Sequence, residues 1–296
     1  MNGTVKKDAK FPVLNSNTRT VGGVAGKTVV RILIAIFVLI QVYPILWLVL
    51  SSFKTTAEFV GGSMFALPQG LHFENYVFAW TVGNIGILFR NTVIVTAIAL
   101  FIVLMFSMPL AFAISRMRWK LSAPAFLIIR LGMFIPIFVL LLPQFLMFRD
   151  MGVLNTRWAL IIAFSALNIP LATFLLVGFY KYIPNEIFES SVIDGCNIYR
   201  CFFHMAVPLT GSGYVTVLLL TFFTIWNNLL IPQTFVSSTA QRMLQSGLIV
   251  FFDAQAGRDW GPTFAGISIA VVPTIIVYLF LSKYVITGMT EGSVKG

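Results

Sequence analysis

Long apolar runs alternate with short polar or basic segments along the chain. Six runs of about 20 residues are nearly free of charge, at 32–50, 91–114, 125–148, 159–180, 213–231 and 262–281. An apolar helix of about 20 residues spans the hydrocarbon layer and satisfies its own backbone hydrogen bonds there. The pattern therefore predicts an all-α, polytopic membrane protein with about six transmembrane helices.

The spans divide the chain into four predicted segments. Residues 1–27 form a polar, basic tail of a composition typical of mobile segments. Residues 28–84 hold the first transmembrane helix and an extracytoplasmic loop, residues 85–282 hold the other five helices, and residues 283–296 form a second tail. Pro136 and Pro143 fall inside the third run, where proline removes a helical hydrogen bond and predicts a kink.

Basic residues are concentrated on one side of the predicted spans. They occur in the N-terminal tail, after the second and fourth spans, and at the C-terminal end, whereas the opposite loops hold fewer. Short cytoplasmic loops carry the excess of Lys and Arg, and an even number of spans leaves both ends on one side. Both termini are therefore predicted to be cytoplasmic.

Composition excludes several functional classes. The chain is 58% apolar and 10% charged, and its net charge of +10 sits mainly at helix ends and tails, which indicates a lipid environment and no nucleic-acid partner.

Cys196 and Cys201 share a polar loop assigned to the cytoplasm, where thiols stay reduced, and they lack companions for a metal site. Residues 22–28 resemble a phosphate-binding loop, but its first glycine is missing because position 21 is Val. We therefore predict no catalytic, cofactor-binding or metal-ligating residue.

Few polar side chains lie inside the predicted spans. Arg130 is the only charged residue there, and no span contains the Asp, Glu or His that ion-coupled carriers place at bilayer depth. The driving energy is therefore expected from another subunit. Uncharged polar residues are candidates for a translocation path, with interhelical hydrogen bonding as the alternative; they are Gln144, Asn168, Asn227 and Asn228.

The loop at 181–208 is longer than a connection between spans requires. Pro184 suits a first helical turn, Glu186 and Glu189 favour the positive N-terminal end, and Gly195 can adopt the left-handed conformation that stops a helix. These signals predict a short extramembrane helix of about three turns. Its predicted apolar face could enter a groove of a partner protein; that face consists of Ile187, Phe188, Ser191 and Val192.

This loop resembles the signature of the membrane subunits of binding-protein-dependent ABC importers. The family pattern is Glu-Ala-Ala, three residues, Gly and a later Pro; here it reads Glu189-Ser190-Ser191, then Gly195 and Pro208, with serine in place of both alanines. Features similar to the sugar-uptake branch lie elsewhere in the chain, at Leu67-Pro68, Asn75-Tyr76, Trp226-Asn227 and 283–296. The resemblance covers nearly the whole chain after the N-terminal tail.

The resemblance implies one permease subunit of an ATP-driven importer in the bacterial inner membrane. Its expected partners are a second homologous permease, two cytoplasmic ATPase subunits that bind ATP and Mg, and an extracytoplasmic solute-binding protein, so this chain is expected to hydrolyse nothing. The expected solute is a mono- or oligosaccharide, with an acidic one such as alginate as an alternative. The residues expected to couple to the ATPase are Glu189, Ser190, Ser191, Asp194 and Gly195. The rival hypotheses are an ion-coupled secondary transporter acting alone and a non-transporting membrane scaffold.

The outward-facing loop at 236–261 is rich in aromatic residues and also carries Arg242. Aromatic residues and Arg are enriched at the centres of protein interfaces, although membrane-interface anchoring explains Trp260 almost as well. The residues predicted to contact the binding protein are Phe251, Phe252, Arg258 and Trp260.

Overall fold

A computed structural model describes the backbone of residues 21–63, 65–255 and 259–293 and the side chains of residues 26–63, 65–255 and 259–283. Helices and short connections make up these ranges, and they contain no strand, which confirms the all-α prediction. The helices are α1 (Val21–Ser51), α2 (Thr56–Gly61), α3 (Glu74–Thr81), α4 (Ile85–Arg116), α5 (Ser122–Met133), α6 (Ile137–Asp150), α7 (Arg157–Tyr182), α8 (Asn185–Ile193), α9 (Ile198–Leu209), α10 (Gly211–Trp226), α11 (Leu230–Phe235), α12 (Leu244–Gln255) and α13 (Trp260–Ser293).

Within the described ranges, four helices are by themselves long and apolar enough to cross a membrane, namely α1, α4, α7 and α13. Two further candidates are bent pairs: α5 and α6 meet at 98°, and α9 and α10 meet at 74°. The prediction of about six spans is confirmed when each bent pair counts as one span. The bend between α5 and α6 falls inside the third run, at the predicted kink, whereas the bend between α9 and α10 lies just before the fifth run.

The break between α5 and α6 has its cause in Pro136. Proline lacks the N–H that an unbroken helix needs and disfavours helical geometry at Ile135. Pro136 has extended backbone angles and directly precedes α6. The sequence predicted a kink in this run, and the structure makes it a full change of direction.

The chain divides into two units, residues 1–48 and residues 49–296. In the first unit, helix α1 begins at Val21, so the part of the predicted tail at 21–27 is helical, whereas residues 1–20 lie outside the described residues. Its side chains from Gly26 to Leu46 are exposed and predominantly apolar, which suits a helix in lipid. At the other end of the chain, α13 continues to Ser293, so most of the predicted tail at 283–296 is helical.

Helices α4 and α7 form the centre of the second unit. Their buried residues are mostly small or branched, such as Val95, Ala99 and Ala163, and they belong to apolar clusters that α10, α11 and α13 extend. Small residues allow membrane helices to approach closely, which favours van der Waals contact where lipid supplies no hydrophobic drive. This core fixes the positions of the loops at both ends.

The two ends of α4 contact different loops. Near its start, the Asn91 side-chain amide donates to the carbonyl oxygens of Ala240 and Arg242 at 2.8 and 3.0 Å. At its last residue, Arg116 donates to the carbonyl oxygens of Tyr180 and Ile183. A helix of 32 residues is about 48 Å long, so the loops at 236–243 and 183–197 lie at opposite ends of the unit. The cytoplasmic assignment of the second loop stays a prediction.

Candidate coupling and transport sites

The segment with the family signature folds as the short helix α8 followed by a tight turn. Pro184 precedes the helix, Glu186 lies in its first turn, and the helix has nine residues. Gly195 adopts a φ of +80°, the left-handed conformation that the sequence predicts for it. The turn is closed by main-chain hydrogen bonds, from Gly195 N–H to Val192 O at 3.0 Å and from Cys196 N–H to Ser191 O at 2.9 Å.

One face of α8 packs against the protein's own core. Ile187 and Phe188 contact the cluster that contains Phe112, Tyr180 and Cys201. Ser191 is also buried; its hydroxyl donates to Phe188 O at 2.8 Å and lies 3.4 Å from the Cys201 sulfur. Of the predicted apolar face, the structure therefore buries Ser191 within the chain itself and leaves Ile187 and Phe188 half-buried. A small residue at position 191 lets α8 approach α9.

The opposite face of α8 is open. Val192 and Ile193 are 61% and 86% exposed, and Glu189, Ser190 and Asp194 are exposed beside them. The Asp194 carboxylate makes no hydrogen bond to any described residue, and the turn after α8 is closed by main-chain hydrogen bonds. Of the predicted coupling residues, the structure thus exposes Glu189, Ser190 and Asp194 and buries Ser191.

A groove of about 1000 Å³ runs between α8, the end of α4 and the start of α9. Phe112 and Phe188 line it with apolar surface, whereas Arg116 and Glu189 bring charges of both signs. The adjoining residues Cys201–Ala206 form a π-helical stretch within α9. Such stretches are often found at functional sites, and no sequence signal indicated this one.

Two tyrosines that the sequence analysis did not identify join three helices near this end. The hydroxyls of Tyr180 in α7 and Tyr214 in α10 lie 2.5 Å apart, and Tyr180 also donates to Met108 O in α4 at 3.4 Å. Phe112 packs edge-on against Tyr180 at 5.9 Å between ring centroids. A tyrosine buried in a membrane helix requires a hydrogen-bond partner for its hydroxyl, which is the only signal that could have indicated the pair.

Two of the four predicted path residues meet at one cavity. Asn168 in α7 and Asn228, after the end of α10, line a space of about 350 Å³ beside the break between α5 and α6, with Thr224 close by. The Asn168 amide donates to Phe164 O at 2.8 Å, which leaves its carbonyl oxygen available. The Asn228 side-chain oxygen accepts from the Ile231 N–H at 3.0 Å.

The other two path residues lie elsewhere. Asn227 lines a different cavity of about 310 Å³, together with Gln245, Phe252 and Thr274. The Gln144 side-chain oxygen in α6 is buried and has no hydrogen-bond partner among the described residues. The structure therefore divides the predicted path set into one pair and two separate residues.

The predicted outer loop at 236–261 contains helix α12. Phe251 in this helix is 5% exposed and packs in a core cluster with Ala79 and Leu248, so direct contact between Phe251 and a binding protein is contradicted. Trp260 is 46% exposed, and Phe252 is half-buried at the cavity beside Asn227. Arg258 lies outside the described residues.

Comparison with known proteins identifies the family. Residues 104–290 match the model of binding-protein-dependent transport system inner membrane components. The chain is 31% identical over 264 residues to a diacetylchitobiose uptake system permease protein of Streptomyces coelicolor, covering 89% of this chain and 87% of that protein. It is 34% identical over 272 residues to a probable ABC transporter permease protein of Bacillus subtilis, covering 92% and 89%.

A solved structure supports the same assignment. The fold is similar to a chain in the crystal structure of a bacterial ABC transporter involved in the import of the acidic polysaccharide alginate, with a TM-score of 0.76 and 25% identity over 90% of this chain and 98% of that chain. Several apolar helices agree with this likeness. The chain therefore belongs to the family of binding-protein-dependent transport system inner membrane components and is a multi-pass protein of the bacterial inner membrane.

Proposed function

We propose that this chain is one permease subunit of an ATP-driven carbohydrate importer and forms half of its translocation path. The observation that carries the proposal is helix α8. One face of this helix is exposed, and the other face packs on the central helices α4 and α7. The family assignment supplies the context of transport. ATP and Mg²⁺ are bound by two cytoplasmic ATPase subunits, and this chain pairs with a second permease.

Coupling follows from the two faces of α8. A docked ATPase subunit contacts Glu189, Ser190, Val192 and Ile193 on the exposed side. Its movement reaches the spans through Ile187 and Phe188, which pack on the cluster shared by α4 and α7. Closure of the ATPase dimer then biases the spans between inward-facing and outward-facing states.

The solute class is a mono- or oligosaccharide. Relatives of this chain include permeases named for diacetylchitobiose uptake and for the transport of starch degradation products. The cavity at Asn168 and Asn228 offers amide and hydroxyl groups in an otherwise apolar lining, as sugar hydroxyls and apolar ring faces require. Because this described lining contains no basic side chain, the cavity favours a neutral sugar over an acidic one such as alginate.

The solute-binding protein docks at the opposite end of the unit. Trp260 at the start of α13 is an exposed aromatic residue there, and its ring centroid lies 6.3 Å from that of Phe264. A photocrosslinker at position 260 should capture the solute-loaded binding protein, whereas one at the buried Phe251 should not. Equal capture at both positions, or at neither, would contradict docking through Trp260.

The test of function is reconstitution in proteoliposomes with the second permease, the ATPase and the binding protein. We expect uptake of labelled neutral oligosaccharide that requires ATP and persists after ionophores collapse ion gradients. Asn168→Leu should reduce uptake, whereas Asn227→Leu, in the other cavity, should affect it less. Uptake that needs an ion gradient and no ATP would instead identify a secondary carrier.

A further inference from the structure

Arg116, the last residue of α4, contacts three parts of the coupling region at once. Its guanidinium donates to the carbonyl oxygens of Tyr180 and Ile183 and to the side-chain oxygen of Asn185. It also lies over the ring of Phe188 in α8, with 4.8 Å between the guanidinium carbon and the ring centroid. One side chain on α4 thus bridges the end of α7 and the start of α8.

The sequence removes one backbone donor at this point. In a continuing helix, the carbonyl of Tyr180 would accept from the backbone N–H four residues later, at position 184. Position 184 is proline, which has no N–H, and its preceding residue Ile183 leaves the helix with extended backbone angles. The Ile183 N–H donates to the Tyr180 carbonyl oxygen at 3.1 Å instead, and Arg116 adds a second donor to that oxygen where the N–H of residue 184 is missing.

Electrostatics favour a cation at the same point. Helices α4 and α7 run in the same direction, since both begin near the 240–242 segment, through Asn91 and Arg157, and both end at the Arg116 cluster. Their C-terminal ends, each equivalent to about half a negative charge, therefore lie side by side. A guanidinium stabilises both ends and, being planar with five donors, reaches several acceptors that a lysine ammonium cannot reach together.

We propose that Arg116 is the positioning residue that fixes α8 at a defined angle to α4 and α7, so that force applied to α8 moves both spans. This inference rests on the proposed coupling function. Without the guanidinium, α8 keeps its apolar contacts through Ile187 and Phe188 but loses the fixed hydrogen bonds at its N-terminal end. When the ATPase moves, α8 then pivots on these apolar contacts and transmits less of the movement to α4 and α7.

The test uses the complete reconstituted importer with Arg116→Met and Arg116→Lys. Arg130→Met is the matched control, because Arg130 lies at the same 4.8 Å over a phenylalanine ring, Phe126, and makes no hydrogen bond to any described residue. Two quantities are measured: solute taken up per ATP hydrolysed, and the distance distribution between spin labels at positions 120 and 186. The labelled chains carry serine at Cys196 and Cys201.

We expect Arg116→Met to assemble, to hydrolyse ATP, and to take up at least about fivefold less solute per ATP, with a broadened label distance. Arg116→Lys should be intermediate, and Arg130→Met should match the wild type. Wild-type uptake per ATP with a narrow distance distribution in Arg116→Met would overturn the proposal. If Arg116→Met does not assemble, Arg116→Lys decides by the same two measurements, and wild-type values there would overturn the proposal equally.

The proposed function can fail separately. If substitutions in the exposed face of α8, such as Ile193→Glu, leave ATP hydrolysis and uptake unchanged, then α8 does not couple to an ATPase, whatever Arg116 does. If Ile193→Glu uncouples the importer and Arg116→Met does not, only the positioning inference is wrong.

Discussion

At the residue scale, the turn after α8 depends on one backbone angle. A side chain added at Gly195 would meet no atom within 4 Å, so space does not require glycine there. The φ of +80° is what requires glycine at this position. Residues with a Cβ are strained by roughly 1–2 kcal/mol in the left-handed region, and β-branched residues are the least tolerant. The importance of Gly195 is therefore one of conformation.

Replacing Gly195 by valine should uncouple the importer without preventing membrane insertion, because the strain redirects the turn that carries α8. We expect uptake per ATP to fall roughly tenfold in proteoliposomes. Gly152→Val is the matched control, since Gly152 also has a positive φ, +67°, and open space around it, but follows α6 at the other end. Gly195→Asn should retain more activity than Gly195→Val, because asparagine tolerates this conformation. Equal losses in the Gly195 and Gly152 valine variants would contradict a specific role for the turn.

A second residue-scale feature is the carboxylate of Glu58 in the predicted extracytoplasmic segment. It accepts backbone N–H bonds from Gln69 and from Thr55, each at 2.6 Å, and thereby ties α2 to the following loop. These backbone donors, that of Gln69 foremost, lower the pKa of Glu58 below its ordinary value. The ionised Glu58 carboxylate therefore stabilises the folded segment. This stabilisation is complete above the ordinary carboxyl pKa and is lost as the pH falls through the lowered pKa of the folded state.

The local stability of this segment should accordingly decrease under acid conditions. Between about pH 6 and pH 3, proteolysis of the 55–72 segment in right-side-out vesicles should increase for the wild type. Glu58→Gln should be cleaved readily at every pH in this range. Glu74→Gln, whose side chain is 85% exposed, is the control and should keep the wild-type profile. A Glu58→Gln variant with the wild-type acid response would show that another group governs the change.

At the element scale, packing of α12 on α4 depends on Gly247. A Cβ at this position would lie 2.2 Å from one terminal carbon of Leu88 and 2.6 Å from the other. Phe251, one turn further along α12, lies buried near Gly83, at the approach to α4. Close approach of the two helices thus explains both the glycine and the burial of an aromatic residue that the sequence assigned to a partner surface.

Gly247→Ala should destabilise the protein by about 1–3 kcal/mol, because the core must shift to accept one methyl group. Leu88→Ala removes the obstructing atoms, so the double variant should be more stable than the sum of the single effects indicates. Denaturation of the purified proteins measures this difference. Gly178→Ala in α7, which has open space at its Cβ position, is the control and should be neutral or mildly stabilising. Strictly additive effects of Gly247→Ala and Leu88→Ala would contradict the contact.

At the scale of the whole molecule, α4 separates the end that carries α8, the proposed coupling end, from the end that carries α12. The excess of basic residues predicts that the coupling end is cytoplasmic. Single cysteines at the exposed positions Thr239 and Ser190, with both native cysteines replaced by serine, test this assignment. A membrane-impermeant maleimide should label position 239 in spheroplasts and position 190 only after permeabilisation. The reverse pattern would invert the topology, and labelling of both without permeabilisation would contradict their placement at opposite ends.

Much of the element-scale description could be predicted because hydrophobic length and helix-stop signals are local properties of the chain. Six apolar runs determined the membrane class, and the order of Pro184, Glu186 and Gly195 determined α8 and its left-handed end. Local signals also indicated a kink at Pro136 but not its 98° angle, which depends on how α5 packs against α7 and how α6 packs against α11.

The sequence by itself thus determined the class, the approximate spans and the short helix α8 with its left-handed end, since each depends on residues close together in the chain. Only the tertiary structure decided that Ser191 and Phe251 face inward, that Asn168 and Asn228 share a cavity while Gln144 and Asn227 do not, and that Arg116 reaches the end of α7. These outcomes depend on the relative rotation of helices far apart in sequence, and a rotation of half a helical turn exchanges buried and exposed faces. The apolar pattern specifies that rotation weakly here, because membrane helices are apolar on every side.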